Sequence, residues 1–135
     1  MEEIIWSNAY SVGVPSIDEQ HKNIIQIINR LIVASNTSSK TESVPEVLAE
    51  MLKYAKEHLA YEELLLQKHG YPDFENHKSK HVAYVENIVK FSTEAISEQQ
   101  SDSKKLLAYL HKWWTNHILH EDMQYSEYLQ KKNIA

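Results

Sequence analysis

The segment FENHKSKHVAYVENIVKFSTEA, residues 74–95, decides the fold. Phe74, His77, His81, Tyr84, Ile88, Phe91 and Ala95 recur in it at alternating steps of three and four, the spacing of one buried helical face. Lysine, serine, glutamate and asparagine occupy most of the positions between. The stretch reads as an amphipathic helix with two histidines inside its apolar stripe.

Three further segments carry the same alternation of steps. One holds Ile17, His21, Ile24, Ile28 and Leu31, and a second holds Met51, Ala55, His58, Glu62 and Leu65. The last holds Leu106, Leu110, Trp113 and His117. Ser16 with Glu19, and Ser43 with Glu46, have the spacing of capping boxes that start helices. Gly70-Tyr71-Pro72 stops the second helix, and Asp73 can cap the third. The expected helices span about 17–35, 44–69, 73–97 and 104–129, after an irregular arm at 1–16. Polar stretches at 36–43 and 98–103 connect them. Four such helices with short links predict an all-α, antiparallel, up-down-up-down four-helix bundle, one domain over residues 1–135.

Composition agrees and narrows the function. A chain of 135 residues suffices for one buried core. With only two glycines and three prolines, long uninterrupted helices are expected. A net charge of −5 without a basic block argues against nucleic acid or an anionic membrane as the main partner. The absence of cysteine rules out disulfides, cysteine-ligated iron–sulfur clusters and thiolate zinc sites. The start MEEIIW lacks the basic and apolar regions of a signal peptide, and no apolar run reaches the roughly 18 residues that span a bilayer. The expectation is a soluble, cytoplasmic protein, a monomer rather than a large oligomer.

Eight histidines are the anomaly, and five of them, His21, His58, His77, His81 and His117, sit on the core stripes. A buried imidazole left unpaired costs about 1–3 kcal/mol, and a lone one usually finds a protein partner. Five at one level of a bundle cannot all do so; they would share a metal. His58 with Glu62, and His77 with His81, are i,i+4 pairs, about 40° apart on one face and about 6 Å apart along the axis. In the last helix Asp122 follows His117 by five residues, about 140° round an ideal helix. Either that helix is locally widened or ending there, or Asp122 is not a ligand. The stripe resumes at Asp122, Tyr125 and Leu129, one residue out of phase with His117, which is what a π-bulge produces.

The set His21, His58-x-x-x-Glu62, His77-x-x-x-His81 and His117-x-x-x-x-Asp122 resembles the hemerythrin family signature at all seven ligand positions. Trp6, Tyr10, Val12-Gly13-Val14 and Ile17-Asp18-Glu19-Gln20-His21 are similar to the opening of single-domain bacterial members. The resemblance covers roughly residues 6–129. It implies two iron ions (Fe2+/Fe3+) bridged by Glu62, Asp122 and an oxo or hydroxo group. It further implies that His77, His81 and His117 saturate one iron, while His21 and His58 leave the other open. With both carboxylates bridging and one hydroxide shared, these side chains leave two octahedral metals a single bond short. That position is the natural seat for a small terminal ligand. Oxygen-activating di-iron bundles use Glu from two helices and Glu-x-x-His from two more. Here imidazole dominates, which favours reversible dioxygen binding over O–O cleavage.

Ile24, Leu59, Trp113, Trp114 and Ile118, each within about a turn of a ligand, are expected to wall the open position and exclude water, besides packing the core. Trp114 departs from the family, where leucine usually follows the tryptophan. Tyr125 is a candidate for a hydrogen bond close to the site, with core packing as its plainer role. His69, His111 and His120 fall outside the set. Imidazole and carboxylate also accept manganese or zinc. The leading function is an oxygen carrier, store or supply protein, not an enzyme. The alternatives are an oxygen or redox sensor acting through a partner protein, and a di-iron enzyme acting on nitric oxide or peroxide. Iron storage is disfavoured by the histidine-rich, closed site.

Overall fold

A computed structural model describes the backbone of residues 2–36, 44–98 and 101–132, and their side chains except at 34–36, 44–45, 48, 91–98 and 101–106. Helices α1 (Pro15–Asn36), α2 (Val44–Lys68), α3 (Phe74–Glu98) and α4 (Ser101–Asn116) follow one another, and α4 continues through a π-helical turn (His117–Asp122) into α5 (Met123–Gln130). Among the described residues there is no strand. Four helical rods pack as a ring, α1 on α2, α2 on α3, α3 on α4 and α4 on α1, giving the expected antiparallel bundle. No described helix is long and apolar enough to cross a membrane. The Ser43 cap and the side chains of Phe91, Ala95 and Leu106 lie outside the described residues.

The helix ends follow local chemistry. α1 begins at Pro15, earlier than the capping box places it, because Val14 O already accepts from Ile17 N and Asp18 N. Proline suits this first position, since its ring presets φ and the N–H it lacks would be unpaired anyway. Ser16 is therefore inside the helix, and its Oγ accepts from the Tyr61 hydroxyl at 2.8 Å. Asp18 ties the arm down instead, accepting from Ser11 Oγ at 2.5 Å and Val12 N at 2.8 Å. At the end of α2, Gly70 takes φ +67° and Tyr71 N reaches back to Leu66 O, so a left-handed glycine closes the helix. Asp73 O accepts from His77 N and opens α3.

Two apolar layers sandwich a polar one. The larger holds Ile24, Ile28, Leu31, Met51, Ala55, Leu59, Tyr84, Ile88, Leu110, Trp114 and Ile118. The smaller holds Val12, Val14, Ile17, Leu66, Tyr125 and Leu129. Each large apolar side chain fully buried contributes about 1.5–3 kcal/mol. Leu66, not Leu65, continues the α2 stripe into the core, and Leu65 packs on its edge. Along α1 the order is Ile17, His21, Ile24; along α2 it is Leu59, Glu62, Leu66; along the last rod it is Ile118, Asp122, Tyr125. The polar side chains thus occupy one level of the bundle.

Candidate metal centre

Five histidines and two carboxylates meet at that level, all of them buried: His21, His58, Glu62, His77, His81, His117 and Asp122. Every rod contributes. The π turn spans the interval from His117 to Asp122, so the extra residue per turn brings the carboxylate back to the face of the imidazole. This is the phase skip read from the sequence, with the widened turn as its cause.

The potential donor atoms form two overlapping groups, each mutually within 4.8 Å. One is Glu62, His77, His81 and His117; the other is His21, His58, Glu62 and Asp122. Glu62 turns Oε1 toward the three-histidine side, 2.5 Å from His77 Nε2 and 3.2 Å from His81 Nε2. Its Oε2 lies 3.2 Å from His58 Nε2 and 3.8 Å from His21 Nε2. Asp122 divides in the same way, with Oδ1 2.9 Å from His117 Nε2 and 3.3 Å from His77 Nε2, and Oδ2 3.0 Å from His21 Nε2. Nε2 of His81 and Nε2 of His117 approach to 3.2 Å.

These atoms are close without all being aligned on one another. His21 Nε2, His58 Nε2 and both Asp122 oxygens are buried with no hydrogen-bond partner. A structural polar cluster resolves such atoms in pairs, because each orphan costs about 1–3 kcal/mol. Nitrogen and carboxylate oxygen left together in a dry core instead fit a cation, and the donor types suit iron, zinc or manganese.

The protein groups alone already hold strong fields. Burial works against a charged imidazole at His21, but the Asp122 and Glu62 carboxylates outweigh it and raise its pKa to about 9. Burial likewise opposes charge on His77, where the same two carboxylates lift the pKa to about 10. His117 is raised against burial by Asp122 and Glu62. At His58 burial wins, helped by the charge on His21, and the pKa falls. Burial pushes Glu62 up and the surrounding histidines pull it well below the usual carboxylate range. Asp122 is also held low, by His117 and His21 against burial and the Glu62 charge.

Outer contacts fix the orientations. His58 Nδ1 lies 2.6 Å from Gln20 Oε1, and an amide oxygen accepts, so Nδ1 carries the proton and Nε2 faces the cluster with its lone pair. The Tyr125 hydroxyl donates to Glu62 Oε2 at 3.0 Å. Trp113 stacks on His117, with centroids 4.3 Å apart and an interplanar angle of 14°. Trp114 is fully buried, 5.9 Å from the His58 ring, and donates its indole N–H to Tyr84 Oη at 2.9 Å. Ile24, Leu59 and Ile118 are buried in the same apolar layer, whereas Trp113 is half-buried. Glu121, next to Asp122, pairs with Lys80 of α3 at 2.5 Å and pins the π turn from outside. Sequence reasoning gives Gln20, Tyr84 and Lys80 no role at the site, although it places Tyr84 on the α3 stripe. Gln20 precedes His21 by one residue, which was the available signal for it. His69, His111 and His120 belong to neither group of donors.

A helical bundle with this buried histidine–carboxylate layer is suited to holding a metal. The chain belongs to the hemerythrin family: the hemerythrin HHE cation-binding domain matches residues 12–129. It is 32% identical over 127 residues to a bacteriohemerythrin of Stenotrophomonas maltophilia, spanning 94% of this chain and 82% of that protein. A bacteriohemerythrin of Pseudomonas aeruginosa is 30% identical over 126 residues, 93% of this chain and 80% of its own length. A hemerythrin-like protein of Naegleria gruberi is 30% identical over 120 residues, 89% of this chain and 88% of its own. The crystal structure of a wild-type hemerythrin superposes with a TM-score of 0.82 at 26% identity, covering 93% of this chain and 97% of that one.

Proposed function

We propose that the buried layer holds two irons and that the protein binds dioxygen reversibly, as an oxygen carrier, store or supply protein. The observation that carries this is the division of both carboxylates: Glu62 and Asp122 each give one oxygen to the three-histidine side and the other to the two-histidine side. His77, His81 and His117 would hold one ion, His21 and His58 the other, with Glu62 and Asp122 shared and an oxo or hydroxo group completing the bridge. Three imidazoles against two leave the open position beside His21 and His58. A bound iron pair supplies the reversible electron exchange that dioxygen binding requires.

The chain's own residues then set the terms. Ile24, Leu59, Trp114 and Ile118 belong to the buried apolar layer, with Trp114 5.9 Å from the His58 ring, and an apolar wall there would keep water and protons from displacing the ligand. Gln20 holds His58 in the tautomer that presents Nε2. Trp113 covers the His117 ring and limits its motion. Nothing in this set supplies an acid–base pair aimed at a larger substrate, which favours binding over turnover.

The test is to load the protein with iron, reduce it anaerobically, admit oxygen, and follow the peroxide-to-iron charge-transfer absorption. Colour that forms with oxygen and disappears under vacuum through repeated cycles supports the proposal. Irreversible oxidation on the first cycle, or turnover of nitric oxide or peroxide, overturns it.

A further inference from the structure

An aromatic column leaves the centre on its three-histidine side. Trp113 lies on His117 at 4.3 Å and 14°. Tyr84 lies against Trp113 at 4.0 Å and 31°. Tyr109 stacks on Tyr84 at 6.3 Å and 14°, half-buried, with its hydroxyl accepting from Asn87 Nδ2 at 3.2 Å on the exposed side. Trp114 joins the column sideways, 4.9 Å from Trp113 and 5.4 Å from Tyr84. Core packing alone does not require an aromatic ring at each of these positions, although Tyr84 also serves as the acceptor for the Trp114 N–H. Yet indole and phenol, which lose an electron far more readily than aliphatic side chains, succeed one another without a gap from a ligand ring to the surface.

The two tyrosines differ in what becomes of their protons. Tyr84 is 1% exposed, its oxygen already accepts from Trp114, and no acceptor for its own proton lies among the described residues. It can pass an electron but cannot settle as a neutral radical. Tyr109 is half-buried with its hydroxyl on the exposed side, where its proton has a route to solvent.

We propose that Trp113, Tyr84 and Tyr109 form a relay that carries oxidising equivalents from the centre to the surface, ending as a neutral radical on Tyr109. The inference rests on the iron-pair reading above. Its co-reactant is hydrogen peroxide, the by-product expected whenever bound oxygen leaves in reduced form and the iron is left oxidised. Reduction of hydrogen peroxide to two waters takes two electrons and two protons. A fully reduced pair gives both electrons itself. A pair with a single ferrous iron gives one, that iron becoming ferric, and Trp113 gives the other. Tyr84 and then Tyr109 refill Trp113. The Tyr109 phenolic proton goes to solvent, and solvent supplies the two protons consumed. Damage is thereby moved from the ligand shell to a side chain that soluble reductants can reach.

The test uses the iron-loaded chain with its iron content measured. The mixed-valent and diferrous forms are each mixed with one equivalent of hydrogen peroxide, freeze-quenched and examined by electron paramagnetic resonance, with ring-deuterated tyrosine to identify the radical. The mixed-valent protein should give a tyrosyl signal and the diferrous protein none. Tyr109→Phe should lose the tyrosyl signal and shift oxidation products, read by peptide mass spectrometry, onto Trp113. A signal that survives in Tyr109→Phe and is lost in Tyr125→Phe, equal signals from both iron states, or no radical at all in iron-loaded protein would overturn the relay alone. Failure to take up iron would overturn the iron-pair reading and the relay with it.

Discussion

Tyr125 and Glu62, 63 residues apart in the chain, meet in the core with the tyrosine hydroxyl donating to Glu62 Oε2 at 3.0 Å. The acceptor is the same oxygen that faces His58 and His21. Tyr125 thus sets how Glu62 is rotated between the two sides of the centre. It also seals the layer from below, with Leu129, Val12 and Ile17 around it.

Tyr125→Phe keeps the packing and removes this donor. Outer-shell partners of metal ligands are worth roughly 10- to 100-fold in metal affinity, so chelator competition should show a loss in that range. Circular dichroism should be unchanged. Wild-type affinity in the variant would mean that Glu62 is oriented without Tyr125.

Gln20→Leu should act on the other half of the site. With no acceptor at Nδ1, His58 loses its fixed tautomer, and iron on the two-histidine side should weaken, again by roughly 10- to 100-fold. Gln20→Glu restores an acceptor and should recover binding. Two iron-binding steps resolved by calorimetry would check this, since only one of them should move.

Trp114→Leu removes an indole held beside His58 by Tyr84. The opened space should speed ligand entry and shorten the lifetime of the oxygenated protein, as read by stopped-flow absorption. Tyr84→Phe leaves the indole N–H buried without a partner and should cost about 1–3 kcal/mol in urea unfolding of the metal-free protein. Unchanged lifetimes in Trp114→Leu would show that the indole does not bound the ligand's space.

Metal loading should release protons. With pKa values raised to about 9 at His21 and about 10 at His77, both imidazoles hold protons near neutral pH before metal binds, whereas His58, lowered, does not. A metal must expel those protons, so affinity should climb as pH rises toward these values and flatten above them. Calorimetry in buffers of different ionisation enthalpy measures the release directly. Uptake without proton release at neutral pH would contradict the raised values.

Deleting Leu119 from the π turn should turn the wide helix into ordinary α-helix and bring Asp122 to four residues after His117, about 40° round the helix, the spacing of His58 and Glu62. Asp122 should stay on the face of His117, so helix content and metal stoichiometry, read by circular dichroism and elemental analysis, should be retained. Loss of metal from the deletion variant would show that the wide turn itself is needed, and not only the phase it sets.

Much was legible from the chain itself, because a helical stripe is a local property. Steps of three and four place His21, His58, Glu62, His77 and His81 on inward faces whatever those faces meet, whereas the five-residue step to Asp122 admits a widened turn, a helix end or no ligand role. The bundle and the polar level follow from that arithmetic, and the fold selects the π turn among the three. Tertiary structure decided everything that depends on how one rod is rotated and raised against another. It chose Leu66 over Leu65 for the core, started α1 at Pro15, and placed Gln20 against His58 and Tyr84 beneath Trp114. It separated the two adjacent tryptophans, sending Trp113 to His117 and Trp114 toward His58. It also turned one oxygen of each carboxylate to either side. Periodicity fixes an angle about a helix's own axis; distances between atoms on different helices are set only when the side chains of all four rods interlock.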